Sequence, residues 1–164
     1  MRNWLARLLL LLLVSGAARA VTSPTYYLAL GDSLAQGVQP SPTGNAETNQ
    51  GYADDVFAVY GARVPGLSLM KLGCPGETTS SMINGGICRY AEGSQLTAAI
   101  RFIQTHRIAF ITLDIGGSDI DNCIAVTGID STCFAQALSN VATNLPQILA
   151  ALRSAAGRSP SSSR

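Results

Sequence analysis

The chain has little charge of either sign and only one histidine. Its 11 Lys and Arg nearly balance its 10 Asp and Glu, which leaves a net charge of +1 at pH 7. The basic residues are scattered, so the sequence predicts neither a nucleic-acid interface nor a polybasic patch for anionic membranes. Neither Gly-x-Gly-x-x-Gly nor a lysine-bearing phosphate loop follows the first predicted strand, which argues against nucleotide binding.

The first 20 residues have the pattern of a secretory signal peptide. Arg2 and Arg7 precede an apolar run over residues 8–14, and small residues then lead to Ala20. This run is far shorter than the roughly 20 apolar residues that a membrane-spanning helix needs. We therefore expect cleavage after Ala20, secretion to an extracellular or periplasmic space, and no stable membrane anchor after cleavage.

The chain has four cysteines, an even number, in a protein expected to enter an oxidising compartment: Cys74, Cys88, Cys123 and Cys133. Disulfides are therefore the default expectation. Of the three possible connectivities, pairing of sequence neighbours is the simplest, Cys74 with Cys88 and Cys123 with Cys133. A zinc site would need Cys-x-x-Cys pairs or histidines at ligand spacing, and the sequence has neither. We expect no metal and no other cofactor.

Three short apolar runs, each stopped by a glycine-containing turn, predict strands at residues 26–30, 67–72 and 108–115. Helical periodicity predicts helices at residues 52–62 and 94–106, between successive strands. This alternation of strand and helix is typical of a parallel sheet in an α/β fold.

The rest of the chain predicts a loop, a long helix and a tail. A polar loop is expected over residues 39–50, and a helix over residues 132–155 with a kink or break at Pro146. Residues 157–164 are a Ser-rich segment without apolar side chains, predicted to be disordered. One domain, residues 21–156, remains between the signal peptide and this tail.

Polar groups follow each predicted strand, and the carboxyl ends of parallel strands are where ligands bind in such sheets. The first strand is followed by the hydroxyl of Ser33, the second by the backbone N–H of Gly73, and the third by Ser118. If these groups converge, they resemble a serine nucleophile with an oxyanion hole.

Three sequence blocks make this pattern more specific. Residues 30–34 (Leu-Gly-Asp-Ser-Leu), 72–79 (Leu-Gly-Cys-Pro-Gly-Glu-Thr-Thr) and 114–119 (Asp-Ile-Gly-Gly-Ser-Asp) resemble the first three blocks of the SGNH/GDSL hydrolases, in family order. Residues 49–52 and 88–90 extend the resemblance over most of the mature chain. It implies a flavodoxin-like three-layer αβα fold with a parallel sheet, and a secreted esterase or lipase acting on a small-molecule or lipid ester.

The resemblance also implies roles for individual residues. Ser33 would be the nucleophile that forms an acyl-enzyme, and the oxyanion hole would come from the Ser33 backbone, Gly73 and the third block. Each site residue has a plainer alternative. Ser33 could be a helix N-cap and Gly73 a turn residue that needs positive φ. The stretch with Asp119, Asp121 and Asn122 could suggest a cation site, but it lacks the rest of a calcium loop and is expected to cap the next helix.

The chain departs from the family pattern in two ways. The family usually has Asn where this chain has Ser118, and loss of one oxyanion donor costs about 10²–10³ in kcat. No Asp-x-x-His block follows, so no catalytic base is found in this chain. His106, the only histidine, precedes the third strand, and we expect it roughly 20 Å from Ser33, at a helix C-terminus.

The absence of this block leads to three expectations. The chain resembles a truncated family member, incomplete at the C-terminus, whose third strand is an open edge prone to aggregation or pairing. Catalysis through Ser33 should be impaired. The alternatives are a secreted pseudoenzyme that binds a lipid or glycan without turnover, and a fragment with no function of its own.

Overall fold

A computed structural model describes residues 24–157 of the chain. The predicted signal peptide, residues 1–20, and residues 158–164 of the predicted disordered tail lie outside the described residues. In chain order the elements are β1 (Thr25–Gly31), α1 (Ser33–Gln36), β2 (Val38–Ser41), β3 (Gly44–Glu47), α2 (Tyr52–Gly61), β4 (Leu67–Lys71), α3 (Thr79–Asn84), α4 (Gln95–Thr105), β5 (Arg107–Asp114), α5 (Gly117–Asp121), β6 (Ile124–Ala125), β7 (Gly128–Ile129) and α6 (Ser131–Ala156).

The central sheet has three parallel strands in the order β4-β1-β5. All three correspond to apolar runs in the sequence, and the order matches the flavodoxin-like arrangement, in which the first strand lies between the second and third. The predicted α/β class and parallel sheet are therefore confirmed. Within residues 24–157, β5 lies at an edge of the sheet.

Side chains of β1 alternate between two helical layers, because successive residues of a strand point to opposite faces. Leu28 and Leu30 are fully buried in a cluster with residues of α3, α4 and α6. Tyr27 and Ala29 are fully buried on the opposite face, against α2. The sheet thus lies between helices on both faces, as in a three-layer αβα domain.

Two local predictions need correction. Residues 39–50, predicted as a polar loop, contain most of an antiparallel hairpin in which β2 pairs with β3. Exposed strands of this kind lack the apolar alternation on which strand prediction depends. Of the two possibilities predicted at Pro146, a kink or a break, the break is wrong: α6 continues through this residue over 26 positions.

Both disulfides join the predicted neighbours. Cys74 pairs with Cys88, 14 positions further along the chain, and Cys123 pairs with Cys133, 10 positions further along. Cys74 is fully buried just beyond the end of β4, so its disulfide fixes the following loop next to the strand end. Over residues 24–157, no helix has the length and apolar character required to cross a bilayer.

Candidate active site

The ends of the three strands meet at the last residue of β1. Gly31 is in register with Asp114, the last residue of β5, and its carbonyl oxygen accepts a hydrogen bond from the Cys74 N–H at 3.0 Å. The Asp32 N–H donates to the Asp114 carbonyl, also at 3.0 Å. The segments that follow β1, β4 and β5 therefore start from one small region at the carboxyl edge of the sheet.

Ser33 is the first residue of α1, a helix of four residues that starts directly after β1. The N-cap is Asp32, whose Oδ1 accepts from the Leu34 N–H at 2.9 Å. The alternative reading of Ser33 as the N-cap is therefore wrong, because the neighbouring carboxylate fills that position. The Ser33 side chain is half-buried, and its hydroxyl is not used to cap its own helix.

Gly73 packs directly against the Ser33 turn. A Cβ at this position would lie 2.7 Å from the Gln36 backbone N and 2.8 Å from the Asp32 carbonyl oxygen. Gly73 is not among the residues with positive φ, so the predicted alternative, a turn residue requiring positive φ, is wrong. Glycine is needed here because the backbone after β4 passes too close to α1 for a side chain.

Ser118 lies in α5, the short helix that follows β5 at the same edge of the sheet. It is half-buried, and its carbonyl oxygen accepts from the Asn122 side-chain amide at 2.8 Å. The preceding Gly117 is close to the Ser33 turn, since a Cβ there would lie 3.5 Å from Asp32 Oδ2. The third block thus borders the same region as Gly73.

Asp119 does not cap the helix after it, contrary to the sequence-based alternative. That cap is Asp130, which accepts from two N–H groups at the start of α6. Asp119 is buried instead, and its carboxylate accepts from the N–H and hydroxyl of Thr79, each at 2.7 Å. It therefore fixes the start of α3 against α5, behind the site.

A buried polar group that the sequence did not reveal lies behind the Ser33 turn. Gln95 is fully buried at the start of α4, and its side-chain amide hydrogen-bonds both the N–H and the carbonyl oxygen of Gly31. The same amide donates to Glu77 Oε2 at 3.0 Å. Glu77 is 1% exposed and also accepts from the Ser81 hydroxyl. Periodicity marks apolar faces and cannot find a buried polar pair of this kind.

Two carboxyl groups of the site, Asp32 and Glu77, have raised pKa values. Burial raises the pKa of Asp32, the hydrogen bond from Leu34 opposes this effect, and the charges of Asp114 and Asp121 add to it. Burial also raises the pKa of Glu77, against the effect of its hydrogen bonds from Ser81 and Gln95. In both cases the main cause is the cost of removing an ionised carboxylate from water.

His106 lies at the opposite edge of the sheet, as predicted. It is the C-cap of α4, directly before β5, so the 8 residues of β5 separate it from the Ser33 region. At about 3.3 Å per residue this is roughly 25 Å, whereas hydrogen-bond reach is about 3 Å. Its ring stacks on Phe102 with centroids 4.0 Å apart and contacts Tyr26 edge-on, which explains its position by packing.

Glu77→Gln is expected to flatten the dependence of stability on pH. Because the folded-state pKa of Glu77 is raised, its contribution is fully present below the unfolded-state pKa and is lost as pH rises through the folded-state value. Each pH unit between the two values corresponds to about 1.4 kcal/mol. Urea unfolding from pH 4 to pH 7 should show a smaller loss of the free energy of unfolding in the variant than in wild type.

Glu92→Gln makes the same charge change at an exposed position and is the control. Its free energy of unfolding should change with pH as in wild type. The same dependence on pH in Glu77→Gln and wild type would contradict the expectation.

A parallel α/β sheet with a serine turn at the carboxyl end of its middle strand is the architecture that the SGNH resemblance implies. Residues 27–161 match the family described as GDSL-like lipase/acylhydrolase. The chain belongs to this family, so the resemblance inferred from the three sequence blocks is confirmed, together with the general class of hydrolase. No curated protein and no solved structure matches the chain.

Proposed function

We propose that the protein is a secreted ester hydrolase in which Ser33 is the nucleophile and forms an acyl-enzyme. The observation that carries this proposal is the meeting of three strand ends at one half-buried serine. Family membership supports the reaction class. The signal-peptide pattern and the two disulfides support secretion, because disulfides persist in oxidising compartments.

The proposed reaction begins with attack of Ser33 Oγ on the ester carbonyl carbon, while the hydroxyl passes its proton to solvent water, which later protonates the departing alkoxide. The carbonyl oxygen becomes an oxyanion, for which the backbone N–H groups of Ser33 and Gly73 and the hydroxyl of Ser118 are the proposed donors. Collapse of the tetrahedral intermediate breaks the ester bond and releases the alcohol. Attack of water on the acyl-enzyme then releases the acid and restores Ser33.

Close packing of Gly73 against the Asp32–Gln36 turn supports this choice of donors. A backbone donor must lie within about 3 Å of the oxyanion, and glycine is the residue that lets two backbone segments approach this closely. Ser118 has a shorter side chain than the Asn usual in the family, so we propose that it is the weakest of the three donors.

The proposed activity is slow, because the one histidine of the sequence, His106, lies at the opposite edge of the sheet. A serine hydroxyl is a poor nucleophile without an adjacent base. Removal of the histidine from a serine protease lowers kcat by about 10⁶. The buried carboxyl of Asp32 is a weak substitute, since its carboxylate is already engaged as the cap of α1.

Hydrolysis of p-nitrophenyl acetate by residues 21–164, beside a Ser33→Ala control, tests the proposal. Turnover above the protein-free rate should disappear in the control, and robust turnover that Ser33→Ala leaves unchanged would refute the assigned nucleophile.

The missing base also favours a second candidate, a pseudoenzyme that binds a lipid or glycan without turnover. A fluorophosphonate separates the two, because only the hydrolase should become labelled.

A further inference from the structure

One bond of the hydrogen-bond ladder that joins β1 to β4 and the segment after it is missing, just before the proposed nucleophile. Paired residues end at Ala29 and Lys71, and the next bonds are Leu72 N–H to the Ala29 carbonyl and Cys74 N–H to the Gly31 carbonyl. In a regular parallel ladder the Gly31 N–H would donate to the Leu72 carbonyl. Both groups have other partners, so this one bond is missing although the Cys74 bond beyond it is kept.

Two side chains occupy the place of the missing bond. The Gly31 N–H donates to Gln95 Oε1 at 2.7 Å, and the Leu72 carbonyl accepts from the Tyr90 hydroxyl at 2.8 Å. The Tyr90 oxygen also lies 3.2 Å from the Gln95 amide nitrogen. Burial raises the pKa of Tyr90 to about 12, which keeps its hydroxyl protonated and able to donate.

Gln95 thus holds both sides of the proposed site. It bonds the N–H and the carbonyl of Gly31, two residues before Ser33. It also bonds Glu77, four residues after Gly73. Since the side chain is fully buried, no water can replace these bonds without opening the core.

We propose that Gln95 is a positioning residue, which sets the distance between the Ser33 hydroxyl and the oxyanion donor at Gly73. This inference rests on the proposed function. The inference extends the proposed site to α4, a helix outside the three family blocks. Displacement of a reacting group by about 1 Å can lower a rate by about 10²-fold.

Two substitutions test the proposal by the rate at which a fluorophosphonate labels Ser33 in the purified protein. Gln95→Met keeps the length and approximate volume of the side chain but removes both bonds to Gly31, and labelling should slow by about 10²-fold at every pH. Gln95→Glu places a second carboxyl beside Glu77 and loses the donor to the Gly31 carbonyl when it ionises. Its labelling relative to wild type should improve as pH falls, because a protonated carboxyl can donate again.

Ile103→Val is the matched control. Ile103 is fully buried in the same helix, and removal of one methylene typically costs about 0.5–1.5 kcal/mol without touching Gly31. This variant should be less stable yet label at the wild-type rate. Wild-type labelling rates in both Gln95 variants, or equal slowing in Ile103→Val, would overturn the positioning role.

A separate readout distinguishes failure of this proposal from failure of the proposed function. If the wild-type protein itself is not labelled, the assigned function fails. Amide hydrogen exchange then tests whether Gln95 holds the Gly31 backbone in place. Exchange of the Gly31 N–H should then be faster by about tenfold or more in Gln95→Met but not in Ile103→Val. Unchanged protection of Gly31 would overturn the proposal independently of any activity.

Discussion

Imidazole in solution is expected to raise the hydrolysis of p-nitrophenyl acetate by the protein but not by Ser33→Ala. General-base catalysis by a positioned side chain contributes about 10²–10⁴-fold, and a free base recovers a part of this, so we expect an increase of about tenfold at about 0.1 M imidazole. The half-buried serine lies at the edge of the sheet, where a small base can reach it. Steady-state rates over a range of imidazole concentrations measure the effect.

The Ser33→Ala variant is also the control, because imidazole hydrolyses this ester without protein. The difference between the two proteins isolates the increment that passes through Ser33. His106→Ala is a second control. It should show the same increment as wild type, since His106 lies at the other edge of the sheet. An increment that is equal in wild type and Ser33→Ala would contradict the proposed nucleophile.

Gly31→Ala is expected to lower the free energy of unfolding by about 4 kcal/mol, the combined cost of backbone strain and overpacking. Gly31 has φ of +130°, a backbone conformation that residues with a side chain rarely adopt. A Cβ there would overlap the carbonyl oxygen of Asp114. Relief of this overlap has to separate β1 from β5 beside Ser33. Urea unfolding measures the loss, and labelling of Ser33 should fall with it.

Gly66→Ala is the matched control for the conformational part of this cost. Gly66 also has positive φ, +73°, but no atom lies within 4 Å of a Cβ built there. Left-handed backbone alone costs about 1–2 kcal/mol for a residue with a side chain. Losses of similar size in the two variants would show that the contact with Asp114 is not responsible.

The sequence was sufficient to predict the central sheet and the three longest helices, α2, α4 and α6. Each strand is a short apolar run that stops at glycine, and the helix over residues 94–106 has a clear apolar face with Ser94 as its N-cap. These signals are local, and burial on both faces makes the parallel strands nearly continuous in apolar residues. The short helices α1, α3 and α5 have no such periodicity because each spans fewer than two turns.

The supporting contacts of the site were not predictable, because they join residues that are distant in sequence. Gln95 and Gly31 are 64 positions apart, and Asp119 and Thr79 are 40 apart. The alternative role for Gly73 rests on its own φ, whereas the cause of the glycine requirement is the approach of another segment. Pairings of this type depend on the assembled fold, which a single sequence does not display.

The most direct measurement of the central claim is the position of a covalent fluorophosphonate adduct, formed with imidazole present and mapped by mass spectrometry of peptides. A hydroxyl held between three converging strand ends should be the preferred site of attack on the reagent. We predict one phosphonyl group per chain, on Ser33, and none in Ser33→Ala. An adduct on another residue, or wild-type protein that stays unmodified after prolonged exposure, would contradict the account.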